Sequence, residues 1–376
     1  MDATKSETDT RSEMRSAKAG QFSNVYRVLQ DAIDSRAFPG CAFGVLAGDE
    51  VVADALGSFT YDADAQSVEP DTVFDIASLT KVVSTTALAM VLFQRGSLHI
   101  DTPVGDLLPG FVIGRANSEF ARRVTLRHLL AHNSGLPGYV ELFRTEPTAS
   151  GLLRACLALP LDVAPGERCE YSDPGFILLG KALEILNRES ISAAARKEIF
   201  EPLGMSATGF RPPRPRWERI PPTEIDDSFR HRTIQGEVQD ENASVLDGVA
   251  GHAGLFSNVP NLLRFSAEVL KGFGSTRSGG AGIFDRETVE LFADRQPPEG
   301  SSRALGWDTP SAESSAGRHF SRRSIGHLGY SGCSVWIDLN ASVAAILLTN
   351  RTWPDRKNQA IRRVRPAFHD AVRESL

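Results

Sequence analysis

The chain has 376 residues, 41% of them hydrophobic and 23% charged, with a formal net charge of −6 at pH 7. That balance suits a folded globular protein with one large core or two smaller ones, and it needs no covalent staples. An acidic surface gives no electrostatic reason to bind nucleic acid or an anionic membrane, both of which recruit basic patches.

Residues 1–20 are polar and charged, and read as a disordered tail ahead of a single domain spanning 21–376. They contain no apolar run that could act as a secretory signal or membrane span, so a cytoplasmic location is expected. An amphipathic pattern predicts a helix over 25–33, and 41–47 and 51–56 read as two strands joined at Gly48-Asp49-Glu50. Ser78-Leu79-Thr80-Lys81 then opens an apolar helical run that stops near Arg95-Gly96, where glycine can close a helix. Helical patterns dominate 125–205, with breaks at Leu136-Pro137-Gly138 and Ala164-Pro165-Gly166.

Further on, 211–232 lacks steady periodicity and reads as a long surface loop, and 272–282 as a Gly/Ser-rich loop. Two strand runs, 333–339 and 342–348, turn about Asn340-Ala341, and a terminal helix is expected over 355–373. Strands thus sit towards both ends with helices between. The expected fold is α/β in an α+β arrangement, an antiparallel sheet flanked by helices with an inserted helical lobe. The α/β lobe would take about 21–75 and 250–376, and the helical lobe about 76–249. A ligand cleft is expected at the seam. The cysteines, Cys41, Cys156, Cys169 and Cys333, are scattered and read as free thiols. Arg362, Arg363 and Arg365 read as a solvated helix face.

Ser78 and Lys81 stand one helical turn apart at a helix start, which gives a hydroxyl a neighbouring amine to take its proton. Alone the spacing is weak evidence, and on it Ser78 reads first as a helix cap with Lys81 solvated. Two later segments change its weight: Glu170-Tyr171-Ser172-Asp173-Pro174-Gly175, and Gly326-His327-Leu328-Gly329-Tyr330-Ser331-Gly332 just before the last strands. His128 and His132 lack the glutamate of a His-Glu-x-x-His zinc site and read as packed or capping residues.

In order, these motifs resemble those of the serine β-lactamase and penicillin-binding protein superfamily, particularly its class C-like branch, which includes family VIII esterases and D-amino-acid peptidases. The resemblance runs from about Gln21 onward, through His132-Asn133-Ser134-Gly135 and Gly251-His252-Ala253-Gly254-Leu255-Phe256-Ser257. It implies Ser78 as acylated nucleophile, with Lys81 and Tyr171 as the groups that move its proton. It also implies an oxyanion hole from the backbone N–H groups of Ser78 and Tyr330. Asp173, His327, Gly329 and His252 are the further substrate-binding candidates, with Gly329 either admitting substrate to the strand edge or simply serving a strand-entry bend, and His252 either lining the cleft or simply bonding to backbone. No metal or other cofactor is implied.

Three departures bear on substrate. Asp173 stands where many relatives have asparagine, and an anion there favours a protonated Lys81. His327 replaces a common lysine, and Leu328 a Thr/Ser hydroxyl, which weakens the grip on a penicillin carboxylate. The expected substrate is therefore a small ester, amide or peptide such as a cell-wall fragment, with poor turnover of β-lactams. A true β-lactamase or DD-peptidase, and a catalytically silent binding protein, are the alternatives. Oligomeric state is left open.

Overall fold

The computed structural model describes residues 20–115, 117–274 and 282–376. The expected tail, apart from Gly20, and most of the 272–282 loop lie outside them. Five antiparallel strands form the main sheet: β1 (Gly40–Ala47), β2 (Glu50–Gly57), β8 (Ser324–Leu328), β9 (Ser334–Asp338) and β10 (Val343–Thr349), in the order β2-β1-β10-β9-β8. β1 is buried nearly throughout because both faces of the sheet are covered. Cys41, Phe43 and Val45 point to one side, against α1 (Ser23–Asp34) and α5 (Ile361–Glu374); Ala42 and Leu46 point to the other. On that second side α4 (Val259–Gly274) lies so close to Gly44 that a Cβ there would meet Val259 at 2.5 Å.

Short strands also lie outside the main sheet, one pair of them at the expected 211–232 loop. β3 (Phe74–Asp75) and β4 (Gly209–Phe210) flank β7 (Leu255–Ser257), and β5 (Glu224–Asp226) pairs with β6 (Arg232–Ile234). The 211–232 segment is therefore partly a hairpin, anchored by Ile225 N–H donating to the Pro354 carbonyl at 2.8 Å. The terminal helix starts later than 355 because the preceding segment makes other bonds: Arg351 draws in the carbonyls of Arg356 and Asn358, and Arg356 reaches Glu224 and Glu241.

The run opened by Ser78 changes pitch twice. Ala77–Leu79 is a 3₁₀ turn, Lys81–Thr86 is π-helical, and α2 (Ala87–Gln94) completes it. By length and hydropathy 77–94 could cross a membrane, but it is 83% buried and serves as the central core helix. A π-turn at that position widens the helix beside a functional group, a frequent use of this rare form. Here it buries Thr85, whose hydroxyl donates to the Gly251 carbonyl at 2.6 Å.

Candidate active site

Ser78 sits on a turn that local sequence alone would not choose. Ala77 before it has φ +46°, a left-handed conformation that costs a residue with a Cβ of the order of 1 kcal/mol. Asp75 holds it there: one carboxylate oxygen accepts the Ala77 N–H at 2.8 Å, the other the Gln239 N–H at 2.8 Å. Its backbone carbonyl takes the Ser331 hydroxyl at 2.8 Å. Three segments distant in sequence are thus pinned to one buried residue. Burial lifts the Asp75 carboxyl to about 6, against the lowering by its two N–H donors.

Lys81 is fully buried and its three N–H bonds have three acceptors: Ser78 Oγ at 3.0 Å, Asp173 Oδ1 at 2.6 Å and the His252 carbonyl at 3.1 Å. That is the complete donor set of an ammonium. Burial opposes the charge, but Asp173, then Tyr171, outweigh it and hold the lysine above its ordinary pKa. Ser78 accepts from Lys81 and caps no helix N-terminus.

Asp173 reaches Lys81 because it opens α3 (Asp173–Asn187), whose N-cap is Ser172, with the Ser172 hydroxyl accepting the Gly175 N–H at 3.1 Å. Tyr171, one residue earlier, lies with its ring 4.8 Å from Lys81 Nζ, 5.1 Å from the Arg303 guanidinium and 4.6 Å from the His132 ring. Burial raises the Tyr171 pKa, and the Lys81 charge opposes it incompletely. The resting pair is therefore an ammonium and a neutral phenol.

His132 and His128 are packed and capping residues, as expected. Nδ1 of His132 accepts the Ser172 N–H at 2.9 Å, and Nδ1 of His128 accepts the Thr125 N–H at 3.1 Å. His327 is buried on β8, and burial, with the charges of Lys81 and Arg303, holds it well below the ordinary histidine pKa. It is neutral at pH 7. Its Nδ1 lies 2.8 Å from the Leu328 carbonyl, which can only accept, so the hydrogen-bond network assigns the proton to Nδ1 and leaves Nε2 a bare acceptor.

Ser78, Tyr171, Asp173, His327, Gly329 and Tyr330 all line one cavity of about 580 Å³ between the β8 edge and the helical side. One reading needs correction. His252 does not line it: the side chain is 1% exposed and sits against Asp240 at 2.9 Å, while its carbonyl receives Lys81. Gly329 lines the cavity, and packing also holds it to glycine, since a Cβ there would stand 2.5 Å from the Ile76 carbonyl. Tyr330 is half-exposed, and its backbone N–H donates to no protein group among the described residues.

The match to known proteins follows this geometry. The Beta-lactamase family model matches residues 25–367. The chain belongs to the Beta-lactamase family. Within it, the N-acetylmuramyl-L-alanine amidase of Bacillus subtilis (strain 168) is 29% identical over 345 residues, covering 84% of this chain and 77% of the amidase. An Escherichia coli (strain K12) protein provisionally named D-alanyl-D-alanine carboxypeptidase is 29% identical over 311 residues, 74% of this chain and 69% of its own. In fold, the hydrolase EstCE1 superposes with a TM-score of 0.75 at 21% identity, covering 95% of this chain and 100% of its own. The class C β-lactamase of Rhodobacter sphaeroides superposes at 0.71 and 19% identity, covering 93% and 99%. The family consists of serine hydrolases, and this chain is one of them.

Asp75, Gln239, Arg303 and Arg351 were not legible as site residues. Asp75 alone carried a signal, an acid three positions before the nucleophile. The others enter from loops far along the chain. Arg365, read as part of a solvated face, is 7% exposed and lines the cavity.

Proposed function

We propose that the chain hydrolyses an amide, peptide or ester through an acyl-enzyme on Ser78, with a cell-wall peptide fragment as the natural type of substrate. The observation that carries this is the 3.0 Å contact of Ser78 Oγ, which lines the cavity, with the buried Lys81 Nζ. Ser78 Oγ adds to the substrate carbonyl carbon and its proton enters the Lys81–Tyr171–Asp173 network, which titrates as a unit. The backbone N–H groups of Ser78 and Tyr330 receive the oxyanion. The carbon–nitrogen or carbon–oxygen bond breaks as the leaving group takes a proton from the same network. Water then repeats the sequence and releases the acid.

A neutral His327 and the apolar Leu328 offer a β-lactam carboxylate neither charge nor hydroxyl on β8, so penicillin turnover is slow. One observation favours a second reading, a carboxypeptidase. Arg362 lines the cavity, and among the described residues its guanidinium has no hydrogen-bond or ion-pair partner, so a peptide carboxylate would find a cation there. Mass spectrometry after incubation with a fluorophosphonate, a p-nitrophenyl ester and a penicillin tests the acyl-enzyme on Ser78 and the slow penicillin turnover. A Ser78 adduct and ester turnover, both lost in Ser78→Ala, are expected. Turnover that survives in Ser78→Ala would place the chemistry elsewhere.

A further inference from the structure

The turn from Gly329 to Cys333 has its carbonyls tied from behind. Arg365, from α5, donates through Nη2 to Gly329 O at 2.5 Å and Cys333 O at 2.9 Å, and through Nε to Gly332 O at 3.3 Å. Arg351, just past β10, donates through Nε to Tyr330 O at 2.8 Å, and its backbone N–H to Ser331 O at 2.9 Å. Its guanidinium also stacks 4.4 Å from the Tyr330 ring centre. All five carbonyls of the turn are thereby held by two arginines, three of them by one planar fork that a lysine cannot reproduce. A peptide unit whose carbonyl is anchored on one side presents its N–H on a fixed line, and the unit ahead of Tyr330 is anchored at Gly329 O.

The same two side chains carry charge without a countercharge. Both are buried, and among the described residues no carboxylate lies within ion-pair range of either. Burial above all, with the like charge of Arg351 adding to it, pulls Arg365 down to about 10, so the fold bears the cost of desolvating a cation there. Cations held against an otherwise neutral turn interact most favourably when negative charge develops on its far side, which is the condition for acting on a transition state rather than on a bound substrate.

We infer that Arg365, with Arg351, is a positioning residue for the oxyanion hole: it sets the Tyr330 N–H and supplies the uncompensated positive charge behind it. The inference rests on the acyl-enzyme reading above, and Ser78→Ala tests that reading separately. The test uses the full chain, p-nitrophenyl butyrate, its thionoester analogue, whose sulfur is a poor hydrogen-bond acceptor, and phenylboronic acid, which forms a tetrahedral adduct on a serine. Active sites are counted with a fluorophosphonate.

Arg365→Gln is expected to lower kcat per titrated site by about tenfold to a hundredfold with KM within about threefold. Boronate affinity should weaken by a similar factor, and the preference for ester over thionoester should shrink. Arg365→Lys, which keeps the charge but not the fork, should fall between the two. Should Arg365→Gln fail to fold, Arg365→Lys and Arg351→Lys carry the same comparison. Wild-type kcat per site, boronate affinity and ester-to-thionoester ratio in folded variants would overturn the inference, leaving the arginines structural only. Loss of activity confined to KM would do the same.

Discussion

Lys81 has spent every proton it can donate, and its partner Asp173 decides when one is released. The carboxylate at 2.6 Å keeps the amine charged although burial pushes the other way. Removing that charge while keeping the shape leaves burial unopposed by its chief antagonist. Asp173→Asn should therefore move the rising limb of the kcat/KM–pH profile to lower pH by about one to three units. A pH-rate profile on a neutral ester checks the sign, and an unmoved limb would mean that Lys81 does not titrate in the catalytic cycle. The sequence already suggested that an anion at 173 favours the ammonium. It could not say that the anion pairs with Lys81 itself, because that depends on how α3 is docked against the π-turn.

At the level of elements, the site is a junction of four short segments: the Ser78 turn, the Tyr171–Asp173 entry to α3, the approach to Gln239 and the Gly329–Cys333 turn. The hairpin β1–β2 and the strands β9 and β10 were readable from alternation and turn residues, as was the apolar run after Lys81. β8 was not, because Ser324-Ile325-Gly326-His327-Leu328 is short and interrupted by glycine, and its strand state is imposed by pairing with β9. Its motif was legible and its geometry was not. Gly329 marks where this edge meets the nucleophile turn. Gly329→Ala would drive a methyl into the Ile76 carbonyl two residues before Ser78, so kcat should fall at least tenfold while the midpoint of thermal unfolding shifts by only a few degrees. Ester kinetics with a parallel melt checks this, and full activity in the alanine variant would mean that the two turns are not in register during catalysis.

Across the whole molecule, acid should be more damaging than base. His132, His327 and His369 are buried and held below the ordinary histidine pKa by burial above all, His369 at about 3. The unfolded chain binds protons at these positions once the pH falls through about 6.5, and the folded chain does not. Their stabilisation is complete above that pH and is lost below it at about 1.4 kcal/mol per unit each. Asp75, raised to about 6, acts in the opposite direction: its contribution is complete below about 4 and lost as the pH rises through 6. His128, also lowered by burial, and Glu241, also raised by it, act in opposite directions, so the balance stays at a net loss of roughly 3 kcal/mol per unit from pH 6 downward. Unfolding midpoints measured from pH 8 to 5 should fall steeply below 6, and a flat profile to pH 5 would refute this balance. The sheet imposes one further order, in time. β1 pairs Cys41 with Thr349, so the strand that carries the chain towards Ser78 waits for a neighbour translated some three hundred residues later. A ribosome releases the nucleophile long before the Tyr330 turn exists, and the nascent chain carries its reactive serine among cell contents without the pocket that would let it act.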